Sequence, residues 1–297
     1  MADASALWPV FTMIAAAAQT VRNATQRDLT QKLGTVGATH IRFLFGFPFA
    51  IVFLAVAMAV LAQPVPPTSL LFWVWAIGAA LAQIAATALM LAAMTERSFV
   101  VVYAYIKTEP VQAALFGLVF LGDHLTPVLA AAILIATVGV VVMALKPGAA
   151  FGLRPTLLGI AAGGMFALSA VGFRGAILSL GLSSYLMAAT FTLAVSLVVQ
   201  AALLSIYLGV RSPDVLRSIV AAWRPSLVAG FMGALASQFW FLAFALATAA
   251  SVRTLALVEV LFAQGVSRFV FKQPVLLREA VGIVLVVAGV ALLLYGS

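Results

Sequence analysis

The stretch SFVVVYAYIKTEPVQAALFGLVFLGDHLTPVLAAAILIATVGVVVMALK, residues 98–146, holds two apolar runs parted by Gly122-Asp123-His124-Leu125-Thr126. Each run is about as long as the 20 residues or so that a helix needs to cross the hydrocarbon core of a bilayer. The first run carries Lys107, Glu109 and Pro110 near its middle. Charged and helix-breaking residues at that depth are costly in lipid, so they mark a segment that faces other protein or water.

The same alternation of apolar runs and short breakers fills the rest of the chain. Expected helices cover 7–24, 37–61, 70–94, 98–121 and 126–145, then 157–180, 182–209, 227–249, 252–272 and 275–295. The clearest punctuation is Gln63-Pro64-Val65-Pro66-Pro67, Lys146-Pro147-Gly148 and Arg211-Ser212-Pro213-Asp214, because Pro and Gly cannot sustain a helix there. The sequence therefore predicts an all-α polytopic membrane protein of about ten transmembrane helices. Composition agrees: 65% of the 297 residues are hydrophobic and 8% charged, against about 25% charged in a soluble domain, and the mean hydropathy is +1.21.

The net charge of +8 does not point to nucleic acid, because the basic residues are scattered between apolar runs and form no dense face. If the helices alternate sides, thirteen of the sixteen Lys and Arg fall on one side: Arg22, Arg27, Lys32, Arg42, Arg97, Lys146, Arg154, Arg211, Arg217, Arg224, Arg268, Lys272 and Arg278. Arg174 and Arg253 fall on the other, and Lys107 inside a helix. The positive-inside rule then places the Arg-rich connections in the cytoplasm and both termini outside, in a bacterial-type inner (plasma) membrane. The Met-Ala-Asp start lacks a basic n-region, so the first apolar run reads as a retained helix. Cysteine is absent and there are two histidines, His40 and His124, which leaves no residue set for a disulfide framework, a thiolate site or a His-based metal site. No cofactor is expected.

A shift of 150 residues superposes Glu109 on Glu259, Ala113 on Ala263, Ile133 on Ile283, Gly139 on Gly289 and Val140 on Val290, with His40 falling on Thr190. Paired carboxylates in corresponding membrane helices carry this alignment more than the aliphatics do. It predicts two five-helix repeats, 1–150 and 151–297, and an odd helix number turns the second repeat upside down. Inverted repeats imply a site near the midplane and a rocking, alternating-access cycle.

With these residues in view, the chain resembles the drug/metabolite transporter superfamily in its EamA-type ten-helix form, over nearly its whole length. The matching features are Arg42 in His40-Ile41-Arg42-Phe43, Pro110 in helix 4, Gly122-Asp123-His124-Leu125-Thr126 as the family's Gly-acid-x-Leu-Thr turn, and Gly282-Ile283 with Gly289-Val290 in helix 10. It departs from the family in having Ala17-Ala18-Gln19 for the Trp-Gly pair of helix 1, Val260 for the Pro of helix 9, and Lys272-Gln273-Pro274 for the second Gly-acid turn. Many members keep their termini in the cytoplasm, opposite to the charge pattern here. The resemblance implies efflux of a small polar or amphipathic molecule, amino-acid-like or a toxic organic cation.

Glu109 and Glu259, near the middle of helices 4 and 9, are the first candidates for substrate binding and proton coupling; the alternative is an anchoring tie to Arg or Tyr. At helical spacing Tyr105, Glu109 and Gln112 form one stripe suited to a ligand's ammonium group. Lys107 points about 200° away from Glu109 and suits either a ligand carboxylate or an internal partner such as Glu259, with Tyr103 one turn before it. Gln19, Gln83, Thr87, Ser169, Gln238 and Trp240 are candidates to line a cavity or to bond between helices. Arg22 and Arg174 sit towards helix ends, where they snorkel or close a gate. Gly159-x-x-x-Gly163 has the spacing of close helix packing. The expected partners are a small-molecule substrate, protons and membrane lipids. An importer or a lipid-linked metabolite flippase would use the same fold. An intramembrane enzyme would need a nucleophile with its base or a metal cluster, and a channel a filter motif; the sequence holds neither.

Overall fold

The computed structural model describes residues 4–96, 99–144, 152–269 and 276–296. The side chains of Arg27, Lys32 and Arg268, together with Arg97 and residues 146–148 and 272–274, named above, lie outside the described residues. All regular structure among the described residues is helical. Seven helical stretches among the described residues are long and apolar enough to cross a membrane: Val36–Leu61, Leu70–Glu96, Pro127–Ala144, Leu153–Ser179, Tyr185–Arg211, Ser226–Leu246 and Leu277–Tyr295. The chain is an all-α protein with the composition of a membrane protein.

In chain order the helices are α1 (Trp8–Leu44), α2 (Phe47–Leu61), α3 (Leu70–Glu96), α4 (Phe99–Ile106), α5 (Glu109–Phe116), α6 (Pro127–Ala144), α7 (Leu153–Ser179), α8 (Tyr185–Arg211), α9 (Pro213–Ala221), α10 (Trp223–Leu246), α11 (Ala249–Leu255), α12 (Glu259–Phe269) and α13 (Leu277–Tyr295). A π-helical turn, Gly117–Leu121, extends α5, and a 3-10 turn, Ala256–Val258, joins α11 to α12.

Four expectations need correction. The stretch between the first two expected helices is helical, and the break falls at Gly34, whose φ of 68° is open to glycine and strained for other residues. The second expected helix is interrupted at Phe45-Gly46, ahead of Pro48 in α2. The connection after helix 7 contains a helix of its own, α9, which exposes Asp214 and Arg217 and buries Ile219. With Arg211, Trp223 and Arg224 flanking it, α9 has the residues of an interfacial amphipathic helix. The fourth correction is that neither expected helix 4 nor expected helix 9 is continuous.

The chain forms two compact units, Met1–Leu81 with Gly172–Leu246, and Ala82–Val171 with Ala247–Ser297, so each unit draws on both halves of the sequence. In the first unit α1 packs along α10 and α8 packs against α2 and α10. The contact is close because of glycine: a Cβ on Gly230 would meet Phe45 Cβ at 2.5 Å, and one on Gly233 would meet Arg42 Cγ at 3.0 Å. Ile41, Leu208, Ile219 and Ala229 form one buried cluster and Phe72, Ala76, Ala176 and Phe191 another.

In the second unit α6 and α13 run against each other through the glycines that the 150-residue shift had paired. A Cβ on Gly139 would meet Gly282 O at 2.8 Å, and one on Gly289 would meet Ala136 N at 2.6 Å. Side chains are absent there because the backbones touch, which gives membrane helices their packing contact where no hydrophobic effect drives them together. Beside this seam Ala136, Val140, Val286 and Leu257 close the core next to the α11–α12 turn.

Candidate functional site

Pro110 has no N–H, so the carbonyl of Ile106 loses its helical donor and the helix cannot run on. The chain tightens instead: Thr108 N–H bonds Tyr105 O at 3.2 Å, its hydroxyl donates to the same oxygen at 2.7 Å, and α5 begins anew at Glu109. The break between α11 and α12 lies at the corresponding place 150 residues later. There the 3-10 turn Ala256–Val258 precedes Glu259, the first residue of α12, whose N–H reaches back to Ala256 O. Val260 occupies the place of Pro110, so no proline causes this second break. Each of the two half-helices thus opens with a glutamate, at the end where the helix dipole favours negative charge.

The two glutamates are paired crosswise. Glu259 receives Lys107 Nζ, in an ion pair 9% and 7% exposed, and its Oε1 accepts the Tyr103 hydroxyl at 2.8 Å. Glu109 Oε1 lies 2.8 Å from Arg253 Nε, in ion-pair range although that N–H is not aligned as a linear hydrogen bond. Lys107 also sits 4.7 Å from the centre of the Tyr103 ring and interacts electrostatically with Glu109 and Arg253. Basic and acidic groups from α4 and α5 therefore meet acidic and basic groups from α11 and α12. Two positive and two negative charges form one buried, balanced cluster, as the cost of burying an isolated ion demands.

This geometry revises the stripe expected from helical spacing. An unbroken helix would point Lys107 and Glu109 away from each other, and the break brings both into the cluster. Tyr105, before the break, and Gln112, one turn after Glu109 in α5, both meet α7. A Cβ on Gly159 would meet Tyr105 Cβ at 2.7 Å, and Gln112 Nε2 donates to Ile160 O at 3.3 Å and to Thr108 Oγ1 at 3.1 Å. The Gly159-x-x-x-Gly163 pair is the close-packing surface for α4 and α5, since a Cβ on Gly163 would meet Ile106 O at 3.0 Å.

Arg253 was not singled out by sequence except in the charge census. The signal for it lay in the repeat: the 150-residue shift places Arg253 on Tyr103, and each of the two serves the glutamate of the other half. Thr87 in this unit bonds the carbonyl of Gln83 at 3.0 Å, within its own helix. The Ser169 hydroxyl is fully buried and has no hydrogen-bond partner among the described residues.

In the other unit, Gln19 Oε1 accepts the Trp240 indole N–H at 3.2 Å, tying α1 to α10. Gln238 Nε2 donates to Thr190 Oγ1 at 2.8 Å, tying α10 to α8. These side chains bond between helices, one of the two readings their positions allowed. Also here are His40 with Ser205, 3.0 Å apart, and Arg174, whose Nη1 donates at 2.6 Å to Phe244 O near the end of α10.

No protein-family model matches the sequence, and no curated protein matches it. A solved structure described as "Crystal structure of protein" shares the fold, with a TM-score of 0.70 over 97% of this chain and 95% of its own, at 17% identity. At that identity the likeness concerns the fold alone.

Proposed function

We propose that the protein is a secondary transporter of the drug/metabolite type: ten membrane helices in two inverted repeats, 1–150 and 151–297, exporting a small polar or amphipathic metabolite by alternating access. The observation that carries this reading is the pair of broken helices. Breaks at corresponding positions, each followed by a glutamate, have the form that discontinuous helices take around substrate and ion sites in inverted-repeat transporters. In that reading α4 with α5, and α11 with α12, are helices 4 and 9 of the ten, and the stretch of α1 before Gly34 supplies helix 1.

Backbone irregularity at membrane depth is tolerated where it is buried in protein or lines an aqueous path. A carboxylate in such a place costs several kcal/mol in lipid and is kept where charge moves or is exchanged. Glu109 and Glu259 then alternate between their internal cations and an incoming substrate or proton, and the two halves rock as the pairs exchange. The termini lie outside and the Arg-rich connections, α9 among them, lie in the cytoplasm of an inner-membrane protein.

The test is release from proteoliposomes loaded in turn with labelled amino acids, nucleosides and quaternary amines, with and without a pH gradient, for wild type and Glu109→Gln. Saturable release that the variant loses is the expected result. If no compound moves, or the variant releases as fast as wild type, the transport reading of this cluster is abandoned.

A further inference from the structure

The connection between α8 and α10 runs from one apolar span to the next, Tyr185–Arg211 to Ser226–Leu246, so α9 lies at the membrane boundary whichever way the chain is oriented. Its turns are sorted by chemistry. Val215, Leu216 and Ile219, spaced to share one face of a helix, pack with Ile41 of α1, Leu208 of α8 and Ala229 of α10. The apolar face is taken up by the protein and is not left to enter the bilayer. The opposite face presents Asp214 and Arg217, and the exposed Val220 sits at the edge between the two.

Arg211 at the end of α8 and Arg224 in the first turn of α10 are exposed beside this face. Three arginines thus stand against one aspartate, and the aspartate is engaged: Arg217 Nη1 donates to Asp214 Oδ1 at 3.1 Å. Among the described residues no carboxylate pairs with Arg211 or Arg224, and the Arg224 guanidinium lies 5.4 Å from the centre of the Trp223 ring. The exposed side chains of Val210, Val220 and Trp223 lie among these cations. A soluble acidic partner would use the arginines and leave the three apolar groups without a role, whereas a headgroup layer takes both, aromatic and aliphatic groups at its inner edge and arginines at its phosphates. The phosphate of a zwitterionic lipid carries its own ammonium partner; that of an anionic lipid does not. We propose that α9 and its flanks bind anionic phospholipid headgroups in preference to zwitterionic ones, with Arg211 and Arg224 holding the lipid phosphates and Asp214 limiting the attraction.

The experiment uses the full chain in phosphatidylcholine vesicles, with a fluorophore on Val220→Cys, which supplies the chain's single cysteine. Lipids that carry a nitroxide near the top of one acyl chain are added in increasing proportion, as phosphatidylglycerol or as phosphatidylcholine, and quenching is read against mole fraction. At about fivefold in affinity for each unbalanced arginine, half-quenching is expected at about a twentieth of the mole fraction with phosphatidylglycerol. Arg211→Gln with Arg224→Gln is expected to bring the two lipids to parity, and Asp214→Asn to widen the preference. Arg154→Gln, which removes an exposed arginine paired with Glu96 at 3.0 Å, is expected to leave it unchanged.

Equal quenching by the two lipids overturns the proposal and leaves the basic face to a soluble acidic partner. No quenching by either overturns it by placing α9 away from the headgroups. If the preference survives the loss of Arg211 and Arg224, or falls as far in Arg154→Gln, these two arginines are not its source and their assignment is overturned. Should the paired variant fail to fold, Asp214→Asn decides, since it removes only an exposed carboxylate: a preference that does not widen overturns the charge-based selection.

Discussion

Arg253 Nε lies 2.8 Å from Glu109 Oε1, and the glutamate of its own segment, Glu259, is held by Lys107 and Tyr103 from the other. Each break therefore supplies the direct ion-pair partner for the glutamate of the other, with Lys107 also acting electrostatically on Glu109.

Removing one member of a buried pair leaves the other charged and alone, at a cost of about 3–5 kcal/mol, whereas removing both avoids that cost. Arg253→Met and Glu109→Gln are each expected to lower the thermal midpoint in detergent strongly, and the double variant to recover much of the loss. The double-mutant cycle measures the coupling. Additive losses would mean that the two residues do not share an interaction.

Tyr103→Phe deletes one donor to Glu259 while leaving Lys107 and the ring face in place. Hydrogen bonds to charged groups are worth about 1.5–3 kcal/mol, so a drop within that range is expected from chemical unfolding in micelles. An unchanged midpoint would show that the tyrosine hydroxyl does not hold the carboxylate.

Gly282→Ala puts a methyl group 2.6 Å from Gly139 O and against Met143 Cγ. The thioether chain can swing aside, but the carbonyl belongs to the backbone of α6. The helices must separate, at a cost of about 1–3 kcal/mol for overpacking. Gly78→Ala, within α3, has open space within 4 Å and serves as the control that does not lower the midpoint.

Because the chain has no cysteine, single cysteines can be introduced without removing others. Arg217→Cys is expected to react with an impermeant maleimide only after the cytoplasmic face is opened, and Gln63→Cys in intact cells. The reverse pattern would turn the whole arrangement over and place both termini in the cytoplasm.

Trp240→Phe keeps the aromatic body and removes the N–H that meets Gln19 Oε1 at 3.2 Å. The expected loss is about 1 kcal/mol in thermal unfolding, the usual net worth of one hydrogen bond, and a larger loss would mark a packing change instead.

What the sequence determined alone is the solvent this chain is built for and the places where its helices are interrupted by charge. Runs of about 20 apolar residues have few other uses, so α3, α6, α7, α8 and α13 were legible in advance, as were Glu109 and Glu259 as residues lipid does not tolerate. The break before Glu109 was half legible, since Pro110 announces it. The break before Glu259 was not, because Val260 gives no warning and the 3-10 turn is decided by tertiary demand. Helical periodicity is a rule for continuous helices, so it misassigned Tyr105 to the glutamate's face once the chain had bent between them, while Gln112 keeps its spacing from Glu109 within α5 and bonds to Ile160 O. Arg253 shows the limit most plainly: nothing within its own segment names a partner, and Glu109 lies 144 residues before it in the sequence. Local chemistry sets which groups must be compensated, but only the packing of distant segments decides which group compensates which, because a buried charge takes whatever countercharge the fold brings within reach.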